Sequence, residues 1–338
     1  MALLEVQDLH IRLQTPRGPA DAVRGLSFSL DKGDALGLIG ESGCGKSLTV
    51  MALMGLLPEG AQVRGSIRFE GQELVGLDES RLCRLRGDRL AMIFQEPMTA
   101  LNPVHSIGHQ VAEPLRLHRG LSAAAARTEA IALLDRVGIP NAAQRVDAYP
   151  HQFSGGQRQR ITIAMALACN PDLLIADEPT TALDVTVQRQ ILDLINDLVD
   201  ERGMALMLIS HDLGVIANNV DRMLVMYGGS VVESGPTEAV FDRMAHPYTR
   251  GLFAARPRLG PRPPGSRPAL ATIAGTVPEL VDLPAGCAFA GRCALSTAQC
   301  EQQRPVARQV SSPDASEGAG PHLVNCWHSP ELPTEAHA

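Results

Sequence analysis

Residues 35–50 read ALGLIGESGCGKSLTV, and this stretch decides the fold. Residues 35–39 are a short apolar run, preceded by the turn Asp31-Lys32-Gly33-Asp34, which suits a buried strand. Gly40-Glu41-Ser42-Gly43-Cys44-Gly45-Lys46-Ser47 then fits G-x-x-x-x-G-K-[ST], and SLTVMALMGLL after it has helical spacing. In a strand–loop–helix of this kind the glycines let backbone N–H groups turn toward a polyphosphate, and the helix N-terminus adds its partial positive charge. Lys46 is expected to reach the β- and γ-phosphates, and the Ser47 hydroxyl to sit on Mg²⁺. The alternative, a chance glycine-rich turn, explains the glycines but not the lysine. Of 30 basic residues only Lys32 and Lys46 are lysines, so a chain that otherwise uses arginine keeps a compact ammonium here.

Outward from the loop, residues 3–14 and 22–30 read as strands, 62–75 as strand, turn and strand, and 91–95 as another buried strand. Residues 105–170 are mainly helical in pattern. Residues 173–177 and 205–210 are short apolar strands, and VTVQRQILDLINDLVDERG between them is an amphipathic helix ending at Gly203. Residues 222–233 read as a hairpin around Gly228-Gly229. Prolines at 257, 261, 263, 264, 268, 278 and 284 then exclude a continuing helix or central strand, so a linker or irregular extension is expected from about residue 256.

At 338 residues the chain is one large domain or two. With 45% hydrophobic and 20% charged residues it is globular rather than disordered. A net charge of −7 argues against a basic nucleic-acid binder, and no nucleic-acid partner is expected. No apolar run approaches the roughly 18–20 residues that span a bilayer, and MALLEVQDLH lacks a basic region ahead of an apolar one. The chain is expected in the cytoplasm, at a membrane only by docking. Disulfides are disfavoured there, so the seven cysteines call for another account.

LLIADE at 173–178 supplies acids to match the loop. Asp177 ends an apolar strand, where a carboxylate is costly without a cation or donor, and Mg²⁺ is the natural partner. Glu178 is placed to act as general base on an attacking water. Phe153-Ser154-Gly155-Gly156-Gln157-Arg158 is the most diagnostic segment. Ser154 and Gln157 have capping-box spacing, which an ordinary helix start explains, but two successive glycines are left over. An uncovered helix N-terminus is a second anion site in the same chain.

With these motifs in place, residues 3–255 resemble the nucleotide-binding subunit of an ABC transporter. Gly40–Ser47 matches its Walker A loop, Gln95 its Q-loop, Ser154–Gln157 its signature, Leu173–Glu178 its Walker B, Ala182-Leu183-Asp184 its D-loop and His211 its H-loop. The resemblance implies an α/β P-loop fold with an antiparallel β subdomain and a helical subdomain at about 96–170. It implies ATP and Mg²⁺ as cofactors, held by Gly40, Ser42, Gly43, Cys44, Gly45, Lys46, Ser47, Gln95 and Asp177. Ser154, Gly155, Gly156 and Gln157 would close on the nucleotide of a second cassette. Glu178, His211 and Gln95 would carry catalysis, with Ser47, Gln95 and Asp177 about the Mg²⁺. The family stacks adenine on an aromatic residue where this chain has Leu13. A soluble ABC ATPase of repair or translation is the alternative class.

FQEPMTALNPVHSIGHQV at 94–111, HPYTRGLF at 246–253 and a cysteine-bearing tail further resemble the peptide and nickel importer branch. That implies a second, different ATPase subunit, two permeases and an extracytoplasmic binding protein, with this chain peripheral on the cytoplasmic face. The cargo is expected to be di- or oligopeptides, with nickel or haem as alternatives. Cys287, Cys293, Cys300 and Cys326, spaced C-x5-C-x6-C-x25-C, lie in the extension over 256–338. Such wide spacing suits zinc only moderately, while a [4Fe–4S] cluster tolerates irregular loops. Members of the branch carry such a cluster on these cysteines, so the cluster is expected, with zinc or free thiols as alternatives.

Overall fold

The computed structural model describes residues 2–181, 183–255, 272–310 and 320–329. The chain opens with β1 (Leu4–Thr15), β2 (Gly18–Leu30) and β3 (Ala35–Ile39), followed by the helix Lys46–Leu53. β4 (Gln62–Phe69), β5 (Gln72–Glu73) and β6 (Leu90–Ile93) come next. Helices Ile107–Arg119, Ala123–Arg136 and Gly155–Ala166 precede β7 (Leu173–Asp177). The helix Val185–Arg202, β8 (Ala205–Ser210), β9 (Arg222–Tyr227) and β10 (Ser230–Pro236) complete the alternation. Short helices at Thr237–Arg243 and Pro247–Ala254 follow, and the extension adds β11 (Arg308–Gln309) and β12 (Leu323–Val324).

Two sheets result. The smaller is antiparallel in the order β2-β1-β4-β5, and the larger runs β11-β12-β10-β9-β3-β8-β7-β6. In the larger one β6, β7, β8, β3 and β9 are mutually parallel. The period of two along these strands sorts their side chains between two cores. Leu36, Leu38, Leu173, Ile175, Met207 and Ile209 face the smaller sheet and the helix Lys46–Leu53. Leu174, Ala176, Leu206 and Leu208 face the helical side, where Val111, Ala130, Ile161 and Ile195 pack. Runs of apolar residues in the parallel strands therefore reflect burial on both faces.

The helix expected over 47–57 stops at Leu53, because the Gly55 N–H turns back to Ala52 O and the Leu56 N–H to Met51 O. The helix Val185–Arg202 ends where expected, with Gly203 left-handed at φ +60°. The hairpin at Gly228-Gly229 forms, with both glycines at positive φ, but it is not the sheet's edge. β12 pairs with β10, and β11 with β12. The extension thus returns to the main sheet. Elsewhere Arg17 pairs with Glu279 and Asp282, and Ser329 Oγ donates to Ala245 O at 2.8 Å. The prolines between 256 and 271 and the tail from 330 lie outside the described residues, as does Ala182.

Candidate functional site: a phosphate loop and its acid strand

β3 delivers the chain to the phosphate loop at the centre of the main sheet. Gly40 sits against β9, where a Cβ would lie 2.2 Å from Met226 O and 2.7 Å from Cys44 Sγ. No side chain fits there. Cys44 itself is buried, and burial pushes its thiol above the usual range, so it packs as a small apolar group. Gly45 begins the helix in the left-handed region, with no side chain capping its N–H groups. These donors are what the loop offers an anion. Lys46 is only 6% exposed, and its ammonium donates to Gly40 O at 2.7 Å and Glu41 O at 3.2 Å.

Asp177 ends β7 beside the loop and is 3% exposed. Burial raises its carboxyl above the usual carboxylate range, the neighbouring Glu178 adds to this, and the Ser47 hydroxyl and Lys46 oppose it. Its Oδ1 has no hydrogen-bond partner, so a buried carboxylate oxygen lies ready for a cation. Next in sequence, Glu178 is held at φ +47° by its N–H donating to Ile209 O at 3.0 Å. A glutamate seldom adopts this conformation, and the two neighbouring parallel strands impose it.

Three side chains from three elements converge on Glu178 Oε2. Gln95 Nε2, after β6, donates at 3.1 Å, and Thr181 Oγ1 donates at 3.0 Å. His211 Nδ1, after β8, lies 3.1 Å from the same oxygen. All the predicted residues at the ends of β3, β6, β7 and β8 are therefore neighbours, as ligand sites at the carboxyl ends of parallel strands tend to be. Thr181 was missed, since a threonine three residues past an acid carries no signal of its own.

The signature residues form a separate feature. Ser154 Oγ accepts from the Gln157 N–H at 3.3 Å, and Gln157 Oε1 accepts from the Ser154 N–H at 3.2 Å, completing a capping box. Ser154 and Gly155 are exposed. The next helix, Val185–Arg202, is capped by Asp184, which accepts from the Val187 N–H at 3.0 Å. Leu13 is half-buried against the core between the two sheets and pairs with Ala20.

Two further groups back the loop. His246 caps the helix Pro247–Ala254 by accepting the Tyr248 N–H at 3.0 Å, and the Tyr248 hydroxyl accepts the Glu41 N–H at 2.9 Å. The 246–248 motif is thus a helix start that aims a tyrosine at the phosphate loop. From the extension, Arg292 donates to Glu41 Oε2 at 2.7 Å. Sequence gave no sign of either contact, which spans more than 200 residues.

The four late cysteines are free thiols and line one pocket with Phe289, Leu295 and Trp327. Burial pushes the Cys287 thiol up to about 11, and Cys326, Cys300 and Cys293 reinforce the shift. Among the described residues no three His, Cys, Asp or Glu side chains are grouped to hold a metal ion, so the expected metal centre is not formed by the cysteines as they stand.

A phosphate loop at the head of a parallel sheet, an adjacent acid strand and a second, exposed helix start at Ser154 are the features of an ATP-binding cassette. The family model described as ABC transporter matches residues 23–181, and that described as oligopeptide/dipeptide transporter, C-terminal region, matches 232–300. The oligopeptide transport ATP-binding protein OppD of Haemophilus influenzae is 48% identical over 97% of this chain and 98% of its own. The dipeptide transport ATP-binding protein DppD of Bacillus subtilis is 47% identical over 96% of this chain and 94% of its own. In structure, the dimeric ATP-binding cassette MJ0796 bound to ADP and phosphate is similar at a TM-score of 0.62, with 26% identity over 69% of this chain and 98% of that one. The chain belongs to the ATP-binding proteins of the ABC oligopeptide and dipeptide transporters.

Proposed function

We propose that the chain hydrolyses ATP to drive uptake of di- and oligopeptides, as one ATPase of a heterodimer bound to two permeases and served by an extracytoplasmic binding protein. The convergence of Gln95, Thr181 and His211 on Glu178, beside Asp177 and the phosphate loop, carries the hydrolytic part of this reading. The two named relatives and the C-terminal family match support the cargo. Residues 1–255 act as the nucleotide-binding unit and 256–338 as an extension, whose described parts, 272–310 and 320–329, pack on it.

Lys46 and the loop N–H groups other than those of Glu41 and Cys44, which are bound within the protein, hold the β- and γ-phosphates. Ser47, Asp177 and Gln95 hold Mg²⁺, and the unpartnered Asp177 Oδ1 fits that role. When bound, the ion spreads the charge of the β- and γ-phosphates. Glu178 accepts the proton of the attacking water as its oxygen bonds to the γ-phosphorus and the bond to the ADP oxygen breaks. Gln95 and His211 hold Glu178 and the water in line. Ser154–Gln157 meets the nucleotide of the partner cassette, so hydrolysis and dimer closure are one event.

Among the described residues no helix is long and apolar enough to cross a membrane, so docking to the cytoplasmic face rests on partner subunits. Phe94 and Val104, exposed apolar side chains on either side of the segment after Gln95, fit such a contact. We also assign a [4Fe–4S] cluster to Cys287, Cys293, Cys300 and Cys326, with zinc as the alternative. Four thiols line one pocket, two of them buried and two half-buried, and a cation bound there would compensate the charge they carry as thiolate ligands.

The test is anaerobic purification from native membranes, reconstitution in liposomes, and measurement of ATP-dependent peptide uptake with iron and sulfide analysis. Glu178→Gln should retain ATP binding and lower hydrolysis on the order of 10²–10⁴-fold. Near-normal turnover would move the working site to the partner subunit. Uptake indifferent to peptide would overturn the cargo, and zinc without sulfide would replace the cluster.

A further inference from the structure

We propose that Arg292 is a positioning residue for the nucleotide site: it masks the charge of Glu41, so that the phosphate loop accepts a polyanion only while the C-terminal extension is docked. The proposal rests on reading residues 40–47 as the phosphate loop.

Glu41 places a carboxylate in the second position of a loop whose task is to attract negative charge. Left unpaired, it opposes the loop's own N–H groups and Lys46. The Glu41 backbone is fully engaged, its N–H on the Tyr248 hydroxyl and its carbonyl on Lys46 and the Cys44 N–H. Among the described residues its side chain is answered from the extension. Arg292 Nη1 lies 2.7 Å from Glu41 Oε2, and Nη2 lies 3.4 Å from Oε1. The Arg292 side chain is 7% exposed against 28% for Glu41, so solvent screens the pair weakly.

Every other contact of Arg292 fixes it to the extension or the sheet. Nε donates to Ala274 O at 2.9 Å, Nη2 to Ile273 O at 3.4 Å and Nη1 to the Tyr227 hydroxyl at 3.2 Å. The guanidinium also lies 5.7 Å from the Tyr227 ring centre and 6.0 Å from that of Phe289. The cation is therefore built in before any nucleotide arrives. Arg292 also directly precedes Cys293, one of the four thiols on the neighbouring pocket. A change that draws this segment off the cassette takes the masking charge with it, which makes the extension a condition for nucleotide binding.

The experiment measures the affinity of the full chain for a fluorescent ATP analogue in wild type, Arg292→Met, Glu41→Gln, the double variant and Lys46→Ala, at two salt concentrations. Arg292→Met should weaken binding on the order of tenfold at low salt, with a smaller loss at high salt. Glu41→Gln added to Arg292→Met should restore most of it. A structural role for Arg292 predicts no such rescue, so equal losses in the single and double variants overturn the proposal, as does unaltered binding by Arg292→Met. If Arg292→Met does not accumulate, Glu41→Gln alone decides: binding at least as tight as wild type supports masking, and a tenfold loss overturns it. Lys46→Ala separates the two claims. If it leaves affinity intact, the phosphate-loop reading fails; if it alone weakens binding, only the masking role fails.

Discussion

The molecule has two helix starts suited to an anion, and they are finished differently. At the phosphate loop the helix N-cap is a glycine with no capping side chain, Lys46 is buried, and Met226, Tyr248 and Arg292 close the rear. At Ser154 the capping box engages the Ser154 and Gln157 N–H groups, and Ser154 and Gly155 are exposed. On the proposed function, the first is a site that binds nucleotide in the lone chain, and the second is half of a site that a partner cassette completes.

The largest expected effect separates these sites directly. Lys46→Ala should weaken nucleotide binding by the isolated chain about a hundredfold, because a buried charge-assisted contact to phosphate is lost. Ser154→Ala should leave that affinity within about twofold, and should lower hydrolysis at least about tenfold once the partner subunits are present. Titration calorimetry on the lone chain and phosphate release from the assembled transporter measure the two. Equal weakening of the lone chain by both substitutions would mean that Ser154 already contacts the nucleotide that Lys46 binds.

Much of the first site was legible because local spacing encodes it. A loop that needs glycines at 40 and 45 and a lysine at 46 writes all of this into eight consecutive residues. Asp177, Glu178 and His211 were legible through short strands whose ends the apolar pattern marks. The strands at 35–39, 173–177 and 205–210 matched their predicted limits for the same reason. What sequence did not show was contact across distance. Tyr248 and Arg292 reach Glu41 from 207 and 251 residues away, and neither carries a local pattern that points to the loop. The β12 strand, two residues long, is fixed by the edge of β10 rather than by its own propensity. The cysteines were visible as a set, but whether spacing of this kind forms a metal centre depends on loop geometry that spacing does not encode.

A pH dependence of stability is expected from the backing of the phosphate loop. His246 is buried, and burial lowers its imidazole to about 4, against opposition from Glu233 and with a small addition from Arg250. Glu233 also accepts the Ala245 and His246 N–H groups and contacts His322, so the surroundings are already committed. The unfolded chain binds a proton to this histidine near its ordinary pKa of about 6.5, while the folded chain does so only near 4. Between these values the unfolded state holds more protons. Stability is thus full above about pH 6.5 and declines by about 2–3 kcal/mol as pH falls toward 4. His246→Asn, which can still cap the helix, should flatten this slope in denaturant titrations run across that range. An unchanged slope would assign it to other groups.

The smallest effects sharpen what the two signature glycines are for. A Cβ on Gly156 would lie 2.9 Å from Val187 Cγ1, so the helices Gly155–Ala166 and Val185–Arg202 meet too closely for alanine there. Gly156→Ala should therefore gain nothing from its better helix propensity, and pairing it with Val187→Ala should recover about 1 kcal/mol. A Cβ on Gly155 meets nothing closer than Leu183 Cδ2 at 3.8 Å, an ordinary contact. Folding thus gives no reason for a glycine at 155, and Gly155→Ala should stabilise the chain by up to about 1 kcal/mol. If the same substitution slows hydrolysis in the assembled transporter, the bare backbone at 155 is kept for a ligand that the lone chain does not contact. If turnover is unchanged, packing against Val187 and the capping box account for the motif by themselves, and the second helix start loses its claim to be half of a nucleotide site.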